Sequence, residues 1–320
     1  MFLKFFSIAQ MTLLEALRQP AGLLMTILLS IIMFFAPTLS GFAFDSGAAL
    51  LRTNLLSTLL IGGLIYISIT TTTIFYKEMN TGTIINVLSK PIPFSLYYLG
   101  KAGGIIASLI VFYIITTSVA WMSTVIGTPD RASSQINLLP FYFLVGSMIL
   151  FSACSLILNY IFGSNIISFI YISWFIATPI ILIALYFTSN IFGYALPPKD
   201  HIIEFLKAAL LVFYQLLIIC SFSVTLSSFT GPVVNFVLSF LFLLTGLMSP
   251  GLIEHLEPDS IISYIVEILP NFHVFWLAEM LTLDRKIPIE YLFTSLSYTV
   301  SLSLTFTFFG IFTLLRKDYH

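Results

Sequence analysis

An all-α polytopic membrane protein is what this sequence predicts, and three observations predict it. Of 320 residues, 58% are apolar and only 8% charged, where a soluble chain carries about 25% charged residues. Mean hydropathy is +1.04. The charges also cluster, so that no charged residue occurs between Arg131 and Lys199. This composition excludes a secreted disulfide scaffold, a disordered regulator and a nucleic-acid binder with a basic face. A net charge of −1 names no partner. Cys154 and Cys220 both lie in apolar runs and read as small core residues, not as a disulfide.

The chain opens with an amphipathic segment, 1–20. At 100° per residue, Lys4, Ser7, Glu15 and Arg18 fall within an arc of about 80°. The rest is Phe, Leu, Ile and Met, so the segment reads as a helix lying in the interface with its polar stripe toward water. Pro20 turns it into the first span. It carries no small-residue cleavage site and is not read as a cleaved signal.

Spans follow from the charge-free intervals, because a mid-membrane charge costs about 2.5–3.5 kcal/mol and crossing takes about 20 residues. One run lies between Arg18 and Asp45, the next between Arg52 and Lys77, and a third follows Lys101 and ends near Thr128. The interval from Arg131 to Lys199 is too long for one helix. Its break is Gly163-Ser164-Asn165, which gives helices near 138–162 and 166–188. Lys207 to Glu254 is likewise double, broken at Gly231-Pro232, where proline removes a donor. The last span runs from about Tyr291 to Leu315. Eight helices place both termini on one side. That side would hold Lys4, Arg18, Lys77, Lys90, Lys101, Arg316 and Lys317, against six basic residues opposite, a slight bias toward cytoplasmic termini. The chain reads as a single transmembrane domain, 1–320, with two longer connections, 77–101 inside and 251–290 outside. The outer one alternates apolar residues with acids and is expected to set Phe272, Phe275 and Trp276 at headgroup depth.

Connection 77–101 is the most informative stretch. Lys77 and Glu78 end the second span, and Asn80-Thr81-Gly82-Thr83 is turn chemistry. Ile84, Ile85, Val87 and Leu88 form one short apolar helix, stopped by the restriction Pro91 places on Lys90. Gly100 and Lys101 re-enter the membrane, with Gly100 and Gly104 permitting close helix approach. An apolar knob at the water surface suits a groove on another protein; resting on lipid is the plainer alternative.

The string Glu78…Gly82-Thr83-Ile84…Leu88-Ser89-Lys90-Pro91-Ile92…Leu99-Gly100-Lys101 resembles the loop of type-2 ABC transporter permeases. It is most similar to the multi-copper-enzyme-maturation and gliding-motility-type subgroup. The likeness extends to Thr12-Leu13-Leu14-Glu15-Ala16-Leu17-Arg18, Ser227-Ser228-Phe229-Thr230-Gly231-Pro232, Leu269-Pro270-Asn271-Phe272 and Leu315-Arg316-Lys317-Asp318. The resemblance implies that 77–101 is a cytoplasmic coupling helix seated on a separate ATPase subunit, through Glu78, Gly82, Thr83, Ile84, Leu88, Ser89, Lys90, Pro91, Gly100 and Lys101. It implies that 1–20, with Glu15 and Arg18, is an elbow helix, and that 251–290 is the outer amphipathic segment. It further implies a bacterial plasma membrane and a homodimer, or a heterodimer with a paralogous permease, surrounded by lipid. Phe94 and Leu96 stand where the family often has Arg and an acid, and the usual member has six helices. The extra pair here is roughly 138–188. Its cadence matches 210–250, as a duplication or two ordinary hairpins would.

There is no G-x-x-x-x-G-K-[ST] phosphate loop, so ATP would be bound by a partner; no cofactor, metal or catalytic residue is expected. His201 with Glu204, and His255 near Glu257 and Asp259, read as solvated surface rather than metal sites. Thr70–Thr73 reads as back-bonding to its own helix, or as one wall of a polar path. Two alternatives stand beside ATP-coupled transport: a secondary transporter and a polytopic lipid-modifying enzyme. Both normally use ionisable residues inside the membrane.

Overall fold

A computed structural model of the chain describes residues 2–40, 47–80, 93–127, 138–163, 165–192, 196–255, 269–283 and 285–316. Among these there is no strand, and eight helices are long and apolar enough to cross a membrane. The protein is an all-α, multi-pass membrane protein. Helix α1 (Phe2–Leu17) precedes two spans, α2 (Pro20–Ser40) and α3 (Gly47–Thr71). Helix α3 runs on through a π-helical turn, Thr72–Tyr76, into the single turn α4 (Lys77–Asn80). The remaining spans are α5 (Phe94–Ile126), α6 (Leu138–Phe162), α7 (Ile166–Phe192), α8 (Lys199–Ser227) and α9 (Pro232–His255). A 3₁₀ turn (Phe272–Phe275) and α10 (Ala278–Thr282) lead to the last, α11 (Ile289–Leu315).

The breaks have local causes. Gly163 adopts φ 62°, the left-handed region that glycine enters freely, and its N–H closes α6 on Asn159 O at 2.8 Å. Two residues on, the Asn165 side chain accepts from the N–H groups of Ile167 and Ser168 and caps α7. Pro20, Pro232 and the Pro93, Pro198 and Pro288 caps all sit at helix starts, where a missing N–H costs nothing.

Spans α3, α5 and α8 form the centre, each with more than half of its membrane window buried; α6 and α11 are the most peripheral. Without a hydrophobic drive between helices in lipid, close packing and hydrogen bonds hold the bundle. Tyr66 of α3 stacks on Phe112 of α5 at 4.1 Å, and Tyr113 donates to Ala209 O of α8 at 2.6 Å. Leu216 of α8 lies over Gly63, and Leu29 of α2 over Gly62. On the periphery, Tyr171 of α7 meets Thr26 of α2 at 3.0 Å, and Trp174 donates to Ser152 of α6 at 3.1 Å.

Four features differ from the sequence reading. The third span begins two turns before Lys101. Its 33 residues at 1.5 Å each make about 50 Å, well beyond a hydrocarbon core of about 30 Å, so its first turns stand at or above the surface. Phe272 and Phe275 are completely buried in the protein rather than turned outward. Phe272 packs on Gly246 and edge-on against Phe242 at 5.2 Å, held by Tyr291 donating to Val274 O and by the Asn271 N–H bonding to Tyr298 Oη. Glu204 is buried, not on a solvated face. Cys154 is exposed on α6, whereas Cys220 is in the core; both are free thiols.

Glycine positions make the packing testable. A Cβ at Gly104 would come within 2.6 Å of Ala9 O, whereas one at Gly146 would meet nothing within 4 Å. Gly104→Leu is expected to cost about 1–3 kcal/mol through overpacking and to lower the thermal midpoint of the detergent-purified protein. Gly146→Ala is expected to leave that midpoint unchanged or raise it slightly.

Candidate functional site: a charged clamp at the termini end

At the end of the bundle that bears both termini, α1 lies across the first turns of α5. The crossing is close because the facing α5 positions have no side chains: Ile8 covers Gly100, Phe5 covers Gly103, and Thr12 with Ala9 covers Gly104. Phe5, Ile8, Ala9 and Thr12 are therefore the α1 face turned to protein, while Leu3, Phe6 and Met11 are exposed.

Lys101 sits at the crossing with 6% of its surface exposed. Its Nζ donates to Glu78 Oε1 at 2.5 Å and lies 3.6 Å from Glu15 Oε2. The phenol of Tyr97 donates to the other Glu78 oxygen, and the Lys101 ammonium lies 5.9 Å from the Tyr97 ring centroid. One ammonium thus joins three elements: α1 through Glu15, α4 through Glu78, and α5 itself. A lysine so far out of water is tolerated because carboxylates flank it and charge-assisted hydrogen bonds satisfy it. Glu78 and Tyr97 also flank segment 81–92, so the clamp closes the base of that connection.

Three further polar links leave the clamp. The Thr73 hydroxyl lies 2.8 Å from Gln19 Oε1 and joins the π turn to the corner after α1. Thr71 meets Ser223 of α8 at 2.8 Å; Ser223 donates to Asn235 Oδ1 of α9 at 2.7 Å, and Asn235 returns a bond to Ser223 O. Tyr98, one residue after Tyr97, meets Thr225 of α8 at 3.1 Å, and Thr225 lies 3.0 Å from Phe306 O of α11. A π turn widens the helix and often marks a functional site; here it occupies the stretch between these bridges and Glu78. Thr71, Thr72 and Thr73 also back-bond to carbonyls of the preceding turn at 2.7–2.8 Å.

Of the expected coupling residues, Glu78, Gly100 and Lys101 come together here, joined by Glu15 of the expected elbow helix. Arg18 is exposed, and no ion pair joins it to the clamp among the described residues. Gly82, Thr83, Ile84, Leu88, Ser89, Lys90 and Pro91 lie outside the described residues, as do Glu257 and Asp259. Sequence reasoning missed Tyr97, Gln19, Ser223 and Asn235. Tyr97 was discoverable, since it precedes Lys101 by four residues and shares its helix face. Asn235, polar and one turn into an apolar run, was a second available signal.

No protein-family model matches the chain, and neither does any curated protein.

Gln215 marks the opposite case. It is fully buried in the middle of α8, and neither of its amide atoms has a hydrogen-bond partner among the described residues. An unsatisfied buried group carries its desolvation cost of about 1–3 kcal/mol. Gln215→Leu is expected to raise the thermal midpoint, read by the loss of monodisperse protein on heating in detergent. For the clamp, Lys101→Met and Glu78→Gln are each expected to destabilise, and the double variant to cost less than their sum. A coupling of about 1–3 kcal/mol in a double-mutant cycle checks it.

Proposed function

We propose that this chain is the membrane-spanning permease subunit of an ATP-driven transporter, and that it turns ATP hydrolysis by a separate ATPase subunit into export or mechanical work. The observation that carries the reading is the Glu15–Lys101–Glu78 clamp. It binds the interfacial helix and both mouths of segment 81–92 into one mechanical unit. The family-like motifs of the loop, the elbow and the chain's ending support the same assignment.

The mechanism follows from the connections. A partner pressing on segment 81–92 moves Glu78 and Tyr97 together, since both are tied to Lys101. The displacement reaches α3 through the π turn and α8 and α9 through the Thr71–Ser223–Asn235 bridge. Tyr98 and Thr225 carry it to α8 and α11. A partner that binds two arrangements with different affinity shifts the bundle between them by that difference and no more. ATP chemistry stays in the partner, two copies of which would serve a permease dimer in a bacterial plasma membrane with cytoplasmic termini. The described spans hold few ionisable residues beyond those at their ends, which favours this reading over proton-coupled transport.

The test is co-expression with an ATPase encoded beside it. The pair is expected to co-purify in mild detergent, and the permease in vesicles to stimulate ATP hydrolysis. Lys101→Met is expected to retain the ATPase but to lose most of that stimulation. A wild-type chain that binds no ATPase, or a Lys101→Met variant with full stimulation, contradicts the proposal.

A further inference from the structure

Gln215 interrupts the run Leu210–Cys220 of α8, in which every other residue is apolar or aromatic. Its side chain is completely buried, yet neither amide atom has a partner among the described residues. An amide offers two donor hydrogens and an acceptor oxygen, and buried polar groups in native proteins are nearly always bonded. A second orphan lies on α11. Ser295 is 1% exposed, and its Oγ is likewise without a partner among the described residues. Neighbouring hydroxyls are taken up by carbonyls of their own helix: Thr294 donates to Tyr291 O at 2.9 Å and Thr299 to Ser295 O at 2.8 Å.

The two orphans stand at one level. Helices α8 and α11 run in the same direction and are tied at both ends. Opposite the termini, Glu204 accepts from the Ile287 N–H at 2.6 Å and Lys207 donates to Ile287 O at 2.8 Å. Toward the termini, Thr225 lies 3.0 Å from Phe306 O. The tied residues are 80 to 83 apart in sequence. Helices that keep step at about 1.5 Å per residue hold that offset between the ties, which sets Gln215 opposite positions 295–298.

The two orphans also lie on facing sides. At about 100° per residue, Gln215 falls within about 20° of Glu204 and of Phe222 on α8. Glu204 meets Ile287, and Phe222 packs edge-on against Phe306 of α11 at 5.3 Å. On α11, Ser295 falls within about 20° of the same Phe306, and the described buried residues of that helix are Ser295, Thr299, Gly310 and Leu314. A donor–acceptor amide and a donor–acceptor hydroxyl therefore face one joint, both buried and both unused.

We propose that Gln215 and Ser295 are the two halves of a latch, open in the described arrangement of the bundle and closed by a hydrogen bond in a second one. Each orphan makes the described arrangement less favourable than its packing alone would, and closing the bond relieves both. The two arrangements are thereby kept close in free energy, which is what a partner of modest differential affinity requires. The ties at Ile287 and Phe306 oppose sliding of α11, so the closing movement is a rotation of that helix against α8. The latch rests on the part of the transport reading that gives the bundle two arrangements, and not on the ATPase.

The experiment needs neither ATPase nor nucleotide. Spin labels are placed at Leu210 of α8 and Val300 of α11, both exposed, in a full chain carrying Cys154→Ala, since Cys154 is the exposed one of the two free thiols. Pulsed electron paramagnetic resonance in vesicles is expected to resolve two distances. Gln215→Leu and Ser295→Ala are each expected to lower the share of the second about tenfold, the worth of one hydrogen bond, and the double variant to lower it no further. Ser295→Thr keeps the hydroxyl and is expected to keep both distances. Thr299→Val removes a hydroxyl already bonded to its own helix and is expected to keep both as well. A single distance in the chain with Gln215 and Ser295 intact overturns the latch, as does a second distance that survives Gln215→Leu or one lost in Thr299→Val but not in Ser295→Ala. An ordered water bridging the two side chains in a high-resolution map overturns it too, because neither group would then be orphaned. A chain that binds no ATPase but shows both distances and their loss in Gln215→Leu keeps the latch and refutes the ATPase coupling alone.

Discussion

The Lys101 side chain ends almost out of water between two carboxylates, and the architecture of the termini end follows from that constraint. Hydrating it would require α1 to lift from α5, and the glycines at 100, 103 and 104 hold the two helices in contact instead. The charge is met by the carboxylates of Glu78 and Glu15 and by the Tyr97 ring. Such a pair adds little net stability over an apolar replacement, but removing one partner alone is expensive. Its value is in register: it fixes where α1, α4 and α5 sit relative to one another. A clamp of this kind specifies geometry more than it adds stability.

That registration gives the hydroxyl bridges their direction. Serine and threonine bonds between membrane helices are individually weak, typically well under 2 kcal/mol, and none would transmit a movement alone. Here they converge on the two helices leaving the clamp. Thr71, Thr73 and Tyr98 lie within two turns of Glu78 or Lys101; Thr71 and Tyr98 reach α8, and Thr73 reaches the corner after α1. The π turn sits among them. It widens α3 just before Glu78, while Tyr66 and Gly63 keep the preceding part of the same helix packed.

Much of the fold was legible because lipid imposes one rule on every span: no uncompensated charge. The interval from Arg131 to Lys199 divided at Gly163 as composition suggested, since only a residue at home with positive φ fits that turn. The same rule did not reveal where α5 starts: the charge-free run follows Lys101, whereas the helix begins two turns earlier at Phe94, with Glu78 and Glu15 beside the lysine. Glu204 went the same way, its partners being Lys207 and a backbone amide 83 residues downstream. Phe272 and Phe275 read as interfacial aromatics because their amphipathic surroundings were visible, whereas the space above Gly246 that receives Phe272 was not. In each case a long-range partner overrode a local preference.

Pulsed electron paramagnetic resonance with one spin label at Gln10 and another at Lys77, both exposed, asks whether the ammonium joins the elbow to the exit of α3. A narrow distance distribution in the wild-type background that broadens in Lys101→Met is the predicted result. A distribution equally narrow in both would show that helix packing alone holds these elements together, and would contradict the account.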